Sequence, residues 1–156
     1  MTEQEWSNEE TRKIAELVKG IDICMLVTCA DGQMRGRPMS NNGNVEYDGD
    51  TWFFSARDSA KVDAIRREPR VELAYLATDQ GVWVSIEGRA EIVDDDRRKR
   101  DLWQDELRSW FATGPEDDDV VLVRVAADRV HAWAQGEELV IEPGKGVLRV
   151  PQDQPA

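Results

Sequence analysis

Apolar positions along the chain recur with two periods, and each change of period marks an element. Residues 7–19 carry Ile14, Leu17 and Val18 at helical spacing, with Ser7 and Glu10 placed as a capping box and Gly20 as the stop. Ile21 to Cys29 is a nearly continuous apolar run of strand length, and Asp31-Gly32 predicts a tight hairpin into a returning strand, Gln33 to Ser40. In that strand a period of two sets Arg35, Arg37 and Met39 on one face and Met34, Gly36 and Pro38 on the other. Pro38 cannot donate a ladder hydrogen bond, which confines the strand to a sheet edge or a bulge. A turn at Asp48–Asp50 then leads into TWFFSARDSAK, Thr51 to Lys61: an aromatic strand, a polar turn and a helix start. Asp58 or Ser59 serves as the N-cap, Val62 and Ile65 open the helical spacing, and Pro69 ends a helix that runs to about Arg67.

Residues 70–77 alternate as a strand with Val71, Leu73 and Tyr75 on one face, and 82–93 form the longest one, with Val84, Ile86, Ala90 and Ile92 on one face and Gly88 as the place for a bulge or a close backbone approach. DDDRRKRD, Asp94 to Asp101, begins a second long helix with acids at its N-terminus and reads as a solvated face. Trp103, Leu107, Trp110 and Phe111 fall at i, i+4, i+7 and i+8, a stripe read as core, and Gly114-Pro115 closes the helix. Strands over 120–126 and 129–134 follow, broken at Ala127-Asp128, and then a last hairpin around Pro143-Gly144 within 138–150. The pattern predicts an α+β, mainly β domain of five to seven antiparallel strands, one helix after the third and another after the fifth, as a small barrel or open sheet. It spans residues 1–150, with 151–156 as a flexible tail.

Charge changes this picture at one place. The chain is 40% hydrophobic with six tryptophans, enough for a packed core despite a charged fraction of 33%. Its net charge of -12 argues against a nucleic-acid partner, which would demand surplus Lys and Arg. Against that acidic background Arg35, Arg37, Arg57 and Lys61 cluster in one short region. A lysine in the first turn of a helix opposes the dipole unless an anion sits nearby, so Ser55, Ser59 and Lys61 at a helix start suit a phosphate. The alternative is that the arginines are solvated strand charges that discourage edge pairing.

Other chemistry is thin. Cys24 and Cys29 match no zinc spacing, and both read as buried thiols in a reducing compartment. The single histidine, His131, has no identifiable nucleophile partner and reads as a surface or packed residue. No stretch reaches the length of a membrane span and the first residues are acidic, so no membrane association and a cytoplasmic location are expected.

Four segments in this order and spacing carry a family resemblance: RGRPM at Arg35 to Met39, WFFSARDSAK at Trp52 to Lys61, VSIEGRAEIVDD at Val84 to Asp95, and DLWQDELRSWF ending at Phe111. Across roughly residues 10–134 the chain resembles the general-stress-protein branch of the pyridoxamine 5'-phosphate oxidase-like, FMN-binding split-barrel proteins. The resemblance implies a six-stranded antiparallel split β-barrel with flanking helices, forming a homodimer with flavin in clefts at the subunit interface. It implies that Arg37 lies at the flavin, that Pro38 and Met39 bring their backbone to the isoalloxazine, that Phe54 and Ser55 belong to the cofactor strand, and that Ser59 and Lys61 hold the phosphate. Trp110, and less surely Trp103, match aromatic positions near the ring.

The departures are equally informative. Ala60 stands where the pyridoxamine phosphate oxidases carry a basic residue, Asn42 stands where they carry a lysine, and nothing after Val130 resembles their carboxy-terminal Arg/His segment. Vitamin B6 oxidation is therefore not expected. With fewer cations FMN is held less tightly, since a charge-assisted phosphate contact contributes about 1.5–3 kcal/mol. A phosphate anchor and an aromatic wall would also serve FAD or a deazaflavin. Three functions fit these residues: a flavin-dependent oxidoreductase of unassigned substrate, associated with stress; a non-catalytic flavin carrier; and a split barrel without flavin that acts as a dimeric interaction module.

Overall fold

The computed structural model describes residues 5–41 and 46–151; Asn42 and residues 152–156 of the expected tail lie outside the described residues. The first helix, α1, runs Asn8–Val18 and is capped as its sequence predicts: Ser7 Oγ accepts from Glu10 N at 3.1 Å and Glu10 Oε1 from Ser7 N at 2.8 Å. Its stripe of Ile14, Leu17 and Val18 is buried in the main core. The strands are β1 Ile23–Thr28, β2 Arg35–Ser40, β3 Asp50–Ala56, β4 Arg70–Ala77, β5 Val82–Val93, β6 Val120–Ala134, β7 Glu137–Glu142 and β8 Gly146–Val150. Helix α2, Ala60–Arg67, follows β3, and α3, Asp96–Leu102, follows β5.

All the strand pairings are antiparallel. Six strands form the order β2-β1-β4-β5-β6-β3, a mainly β split-barrel sheet in which, among the described residues, the end strands β2 and β3 do not pair with each other. The sheet is therefore open between them. The expected six strands are present, and the hairpin β7–β8 adds two more along the second half of β6. Asp31 and Gly32, at φ 56 and 71, make the β1–β2 turn within a short 3-10 segment. Pro38 sits on β2, at one end of the sheet order, where its missing donor is tolerated.

Three expectations are corrected. Residues 120–134 are one strand, not two, because the break at Ala127-Asp128 is a bulge: Gly88 faces Ala127 while Glu87 faces Arg129, leaving Asp128 extra. A Cβ on Gly88 would stand 2.4 Å from the Ala126 carbonyl oxygen, so this approach requires glycine. The helix from Asp94 is short, ending at Leu102, with a separate 3-10 turn over Asp105–Ser109; Trp103 and Gln104 between them are extended. Cys29 lies beyond β1 and is half-buried, its thiol donating to the Arg70 carbonyl at 3.3 Å, whereas Cys24 is buried as expected.

Both faces of β3 are covered. Phe53 enters the main core with Leu26, Leu73, Ile86 and Val123, and Phe54 enters a second cluster with Leu107, Val120 and Leu122. This lies on the link from pattern to packing: an aromatic pair in a strand fills two cores only when the strand is sandwiched.

Glu10 does more than cap. It is buried, and its carboxylate also accepts from Gly144 N at 3.1 Å and Gly146 N at 2.7 Å, fastening α1 to the β7–β8 turn. Burial pushes its pKa up, but the backbone N–H groups of Ser7, Gly146 and Gly144 outweigh it, and the net shift is downward. A lowered folded value means stability that is present above the unfolded carboxylate pKa and lost as pH falls through the folded one. Glu10→Ala, which orphans three backbone donors, should cost about 2–4 kcal/mol in urea unfolding. Its stability should also fall less than that of the wild type as pH drops below about 4.5. Parallel acid profiles for the two would show that the carboxylate is not a structural anchor.

Candidate functional site

The opening between β2 and β3 is where the cations gather. On β1 the inward positions are Cys24, Leu26 and Thr28, and the hairpin register sets Arg37 opposite Leu26. Arg37 turns inward, and its Nη1 donates to Thr28 Oγ1 at 3.0 Å and to the Leu26 carbonyl at 3.3 Å. From the opposite edge, β3 ends at Ala56 and Ser59 caps α2, its Oγ accepting from Val62 N at 3.3 Å. The hydroxyls of Ser55 and Ser59 are 3.0 Å apart, and Lys61 Nζ donates to Ser55 Oγ at 3.1 Å. Ser55 is buried and also donates to the Ala56 carbonyl at 3.1 Å.

Arg37 and Lys61 are electrostatically coupled across the opening. Burial lowers the Lys61 pKa, and the charge of Arg37 lowers it further. Arg37 is lowered by burial and then by Arg35. Arginine keeps its proton throughout, so the repulsion between the two is expressed at the lysine. Among the described residues neither has a carboxylate within 4.0 Å, although most other cations of the sheet and helices do: Arg67 with Asp31 and Asp63, Arg89 with Asp128, Arg124 with Asp50 and Glu91. Two half-buried cations, two hydroxyls and a helix start converge, a donor set of the kind that suits an anion.

The structure thus brings together Arg37, Ser55, Ser59 and Lys61. Pro38, exposed, and Met39, packed against the main core, adjoin Arg37 on β2. Two other expected residues stand apart from the cation cluster. The Phe54 side chain is in the second apolar cluster, edge-on to Trp103 at 5.5 Å and tilted to Phe111 at 6.4 Å. Trp110 is 78% exposed, so the core reading of the stripe holds for Trp103, Leu107 and Phe111 and not for Trp110. The indole N–H of Trp103 is buried with no hydrogen-bond partner among the described residues.

Arg57, counted with the cluster by sequence, is engaged elsewhere: its Nη2 meets Asp94 Oδ2 at 2.5 Å and its Nε donates to the Asp118 carbonyl at 2.7 Å. Two participants were missed. Thr28 was legible in principle, since the hairpin turn fixes the register that sets it beside Arg35 and Arg37. Lys99 was not: inside a run of charges it reads as solvated, yet it is fully buried. His131 is half-buried, stacked on Trp133 at 4.1 Å and 2.9 Å from Glu138 Oε2. Among the described residues no His, Cys, Asp and Glu group could hold a metal, and no helix is long and apolar enough to cross a membrane.

The fold and the open edge define a class, the antiparallel split-barrel proteins. The family model for pyridoxamine 5'-phosphate oxidase-like proteins matches residues 9–145, and the chain belongs to that family. Protein bli-3 of Neurospora crassa is 29% identical over 90 residues, a match covering 53% of this chain and 43% of bli-3, less than half of that protein's length. A Clostridium acetobutylicum protein related to general stress protein 26 superposes with a TM-score of 0.72 at 18% identity, covering 87% of this chain and 96% of that one. General stress protein 26 of Bacillus anthracis gives 0.70 at 23% identity, covering 90% and 98%. The general stress FMN/FAD binding protein of Xanthomonas citri gives 0.68 at 22%, covering 96% and 100%. At these identities the superpositions speak to the fold.

The two aromatic positions separate by experiment. Phe54→Ala should cost about 3–5 kcal/mol in urea unfolding, as for a buried phenylalanine. Trp110→Ala should stay within about 0.5 kcal/mol of wild type, as for an exposed site. A loss at Trp110 comparable to that at Phe54 would return it to the core.

Proposed function

We propose that the chain binds FMN, with its phosphate held by Arg37, Ser55, Ser59 and Lys61, and that it is a flavin-dependent oxidoreductase. The observation that carries this reading is the pair of half-buried cations with no carboxylate within 4.0 Å among the described residues, in a chain of net charge -12. Burying positive charge with no counter-ion is unfavourable, and a phosphate dianion matches both the charge and the hydroxyl donors. The site fits the group the family resemblance implies, and one structural relative is itself described as FMN/FAD binding. Bound flavin would supply the electron chemistry. The chain's own residues would anchor the phosphate, and Pro38, Met39 and the exposed Trp110 are the candidates to border the ring. Lacking the further cations of the pyridoxamine phosphate oxidases, the chain is not proposed to oxidise vitamin B6.

In this reading the protein works as a homodimer. Supporting this, Leu76 faces Trp83 across the β4–β5 ladder and both are exposed, with Trp133 opposite Trp83 on β6. Exposed large apolar side chains that lie next to one another commonly mark a protein interface.

Lys61→Ala should weaken FMN binding at least about tenfold in a fluorescence titration while the protein stays folded. FMN binds the protonated lysine, whose pKa lies below the ordinary lysine value. Affinity should therefore fall as pH rises through that lowered value, and Lys61→Arg should move the fall to higher pH. An FMN affinity unchanged by Lys61→Ala would mean that the lysine is a surface charge. For the oxidoreductase, anaerobic NADH or NADPH should bleach the visible flavin bands of the FMN-loaded protein. Persistent oxidised flavin with both donors would favour the carrier.

A further inference from the structure

The turn that presents Ser55, Ser59 and Lys61 is held from behind by charges that touch none of them. Arg57 binds three groups: its backbone N–H donates to the Asp119 carbonyl at 2.8 Å, its Nε to the Asp118 carbonyl at 2.7 Å, and its Nη2 to Asp94 Oδ2 at 2.5 Å. The other oxygen of Asp94 is 3.7 Å from the ammonium of Lys99. That fully buried ammonium donates to the carbonyls of Val120 at 3.0 Å and Asp117 at 3.3 Å, with Asp96 Oδ1 at 3.2 Å. Asp94 thus joins the β3–α2 turn to α3, and Lys99 joins α3 to the loop before β6. Val120 in turn faces Ala56 across the β3–β6 ladder, one residue from Ser55. The arrangement is closed on itself, and a buried lysine persists only when its donors are met in this way.

We propose that Asp94, through Arg57 and Lys99, is a positioning residue for the phosphate grip: it fixes the turn whose two ends carry Ser55 and Ser59. The inference rests on the FMN-phosphate reading above. The guanidinium of Arg57 is engaged by Asp94 and the Asp118 carbonyl, so in this reading it shapes the turn and does not itself hold the phosphate. The 3.0 Å separation of the two hydroxyls depends on the path of Ala56–Asp58, and that path is set by where Arg57 is anchored. At metal sites, removing the partner that orients a ligand typically costs about 10–100-fold in affinity, and the same reasoning applies to hydroxyls oriented toward a phosphate.

The test compares FMN with riboflavin, which lacks the phosphate, on the full-length protein and its Asp94→Asn and Arg57→Gln variants, each checked for cooperative thermal unfolding. Asp94→Asn should weaken FMN about tenfold, leave riboflavin unchanged, and be rescued in part by Asp94→Glu. Arg57→Gln should do the same, and the double variant should be no worse than either single one. Equal loss for both ligands would reduce Asp94 to a stabilising residue, and no loss for FMN would remove it from the site; either overturns the proposal. Should one variant fail to fold, the other decides. If the wild type itself binds FMN no better than riboflavin, the phosphate reading fails first, an outcome distinct from failure of the positioning role.

Discussion

Strand β6 is the constraint on which the fold turns. Along one side twelve of its fifteen residues pair with β5, and along the other the first half pairs with β3 and the second half with β7. The change of partner coincides with the bulge at Asp128, where Gly88 admits the Ala126 carbonyl and the Trp6 indole donates to the Ala127 carbonyl at 3.0 Å. Because β3 is placed by β6 and not by its sequence neighbour β2, the six-stranded sheet ends in two edges that do not meet. An unpaired edge usually has to be blunted against aggregation. Here one edge carries Arg37 and Pro38, and the other runs into the turn and helix of Ser59.

Charge placement follows the same geometry. An acidic chain has carboxylates to spare, and it uses them on cations that join elements: Arg124 between β3 and β5, Arg57 between the β3–α2 turn and Asp94, Arg129 between β5 and β7. Exposed pairs of this kind contribute little individually, up to about 1 kcal/mol each. Their absence from Arg37 and Lys61 is the more telling fact. With acidic residues far in excess, two half-buried cations without a carboxylate within 4.0 Å among the described residues reflect the site's geometry and not composition.

Much of this was legible in the sequence because it rests on local rules. The capping box at Ser7 and Glu10, the Asp31-Gly32 turn, the edge strand with Pro38 and the Ser59 cap each follow from residue type and short spacing. What escaped depended on contacts distant in sequence. Lys99 in DDDRRKRD has the spacing of a solvated face, and only carbonyls eighteen and twenty-one residues on explain its burial. Glu10 was read as a cap and nothing more, since its second role needs the β7–β8 turn, 134 residues away. The stripe at Trp103–Phe111 misled in another way: helical spacing was present, but the chain breaks at Trp103, and that change of direction turns Trp110 outward.

The cation pair also bears on the energetics of the ligand-free protein. A lysine whose folded pKa is depressed binds its proton less tightly folded than unfolded, so at neutral pH its charged form weakens the fold. Burial and the Arg37 charge both act in that direction at Lys61. An anion between them reverses both terms at once, replacing lost hydration and cancelling the repulsion, so binding raises the lysine pKa and stabilises the protein through the same contacts. Strain kept at a site in this manner is the usual cost of function. Two like charges left to themselves would separate; Thr28 and the Leu26 carbonyl hold Arg37 at one side, and the proposed network through Arg57, Asp94 and Lys99 would hold the β3–α2 turn at the other.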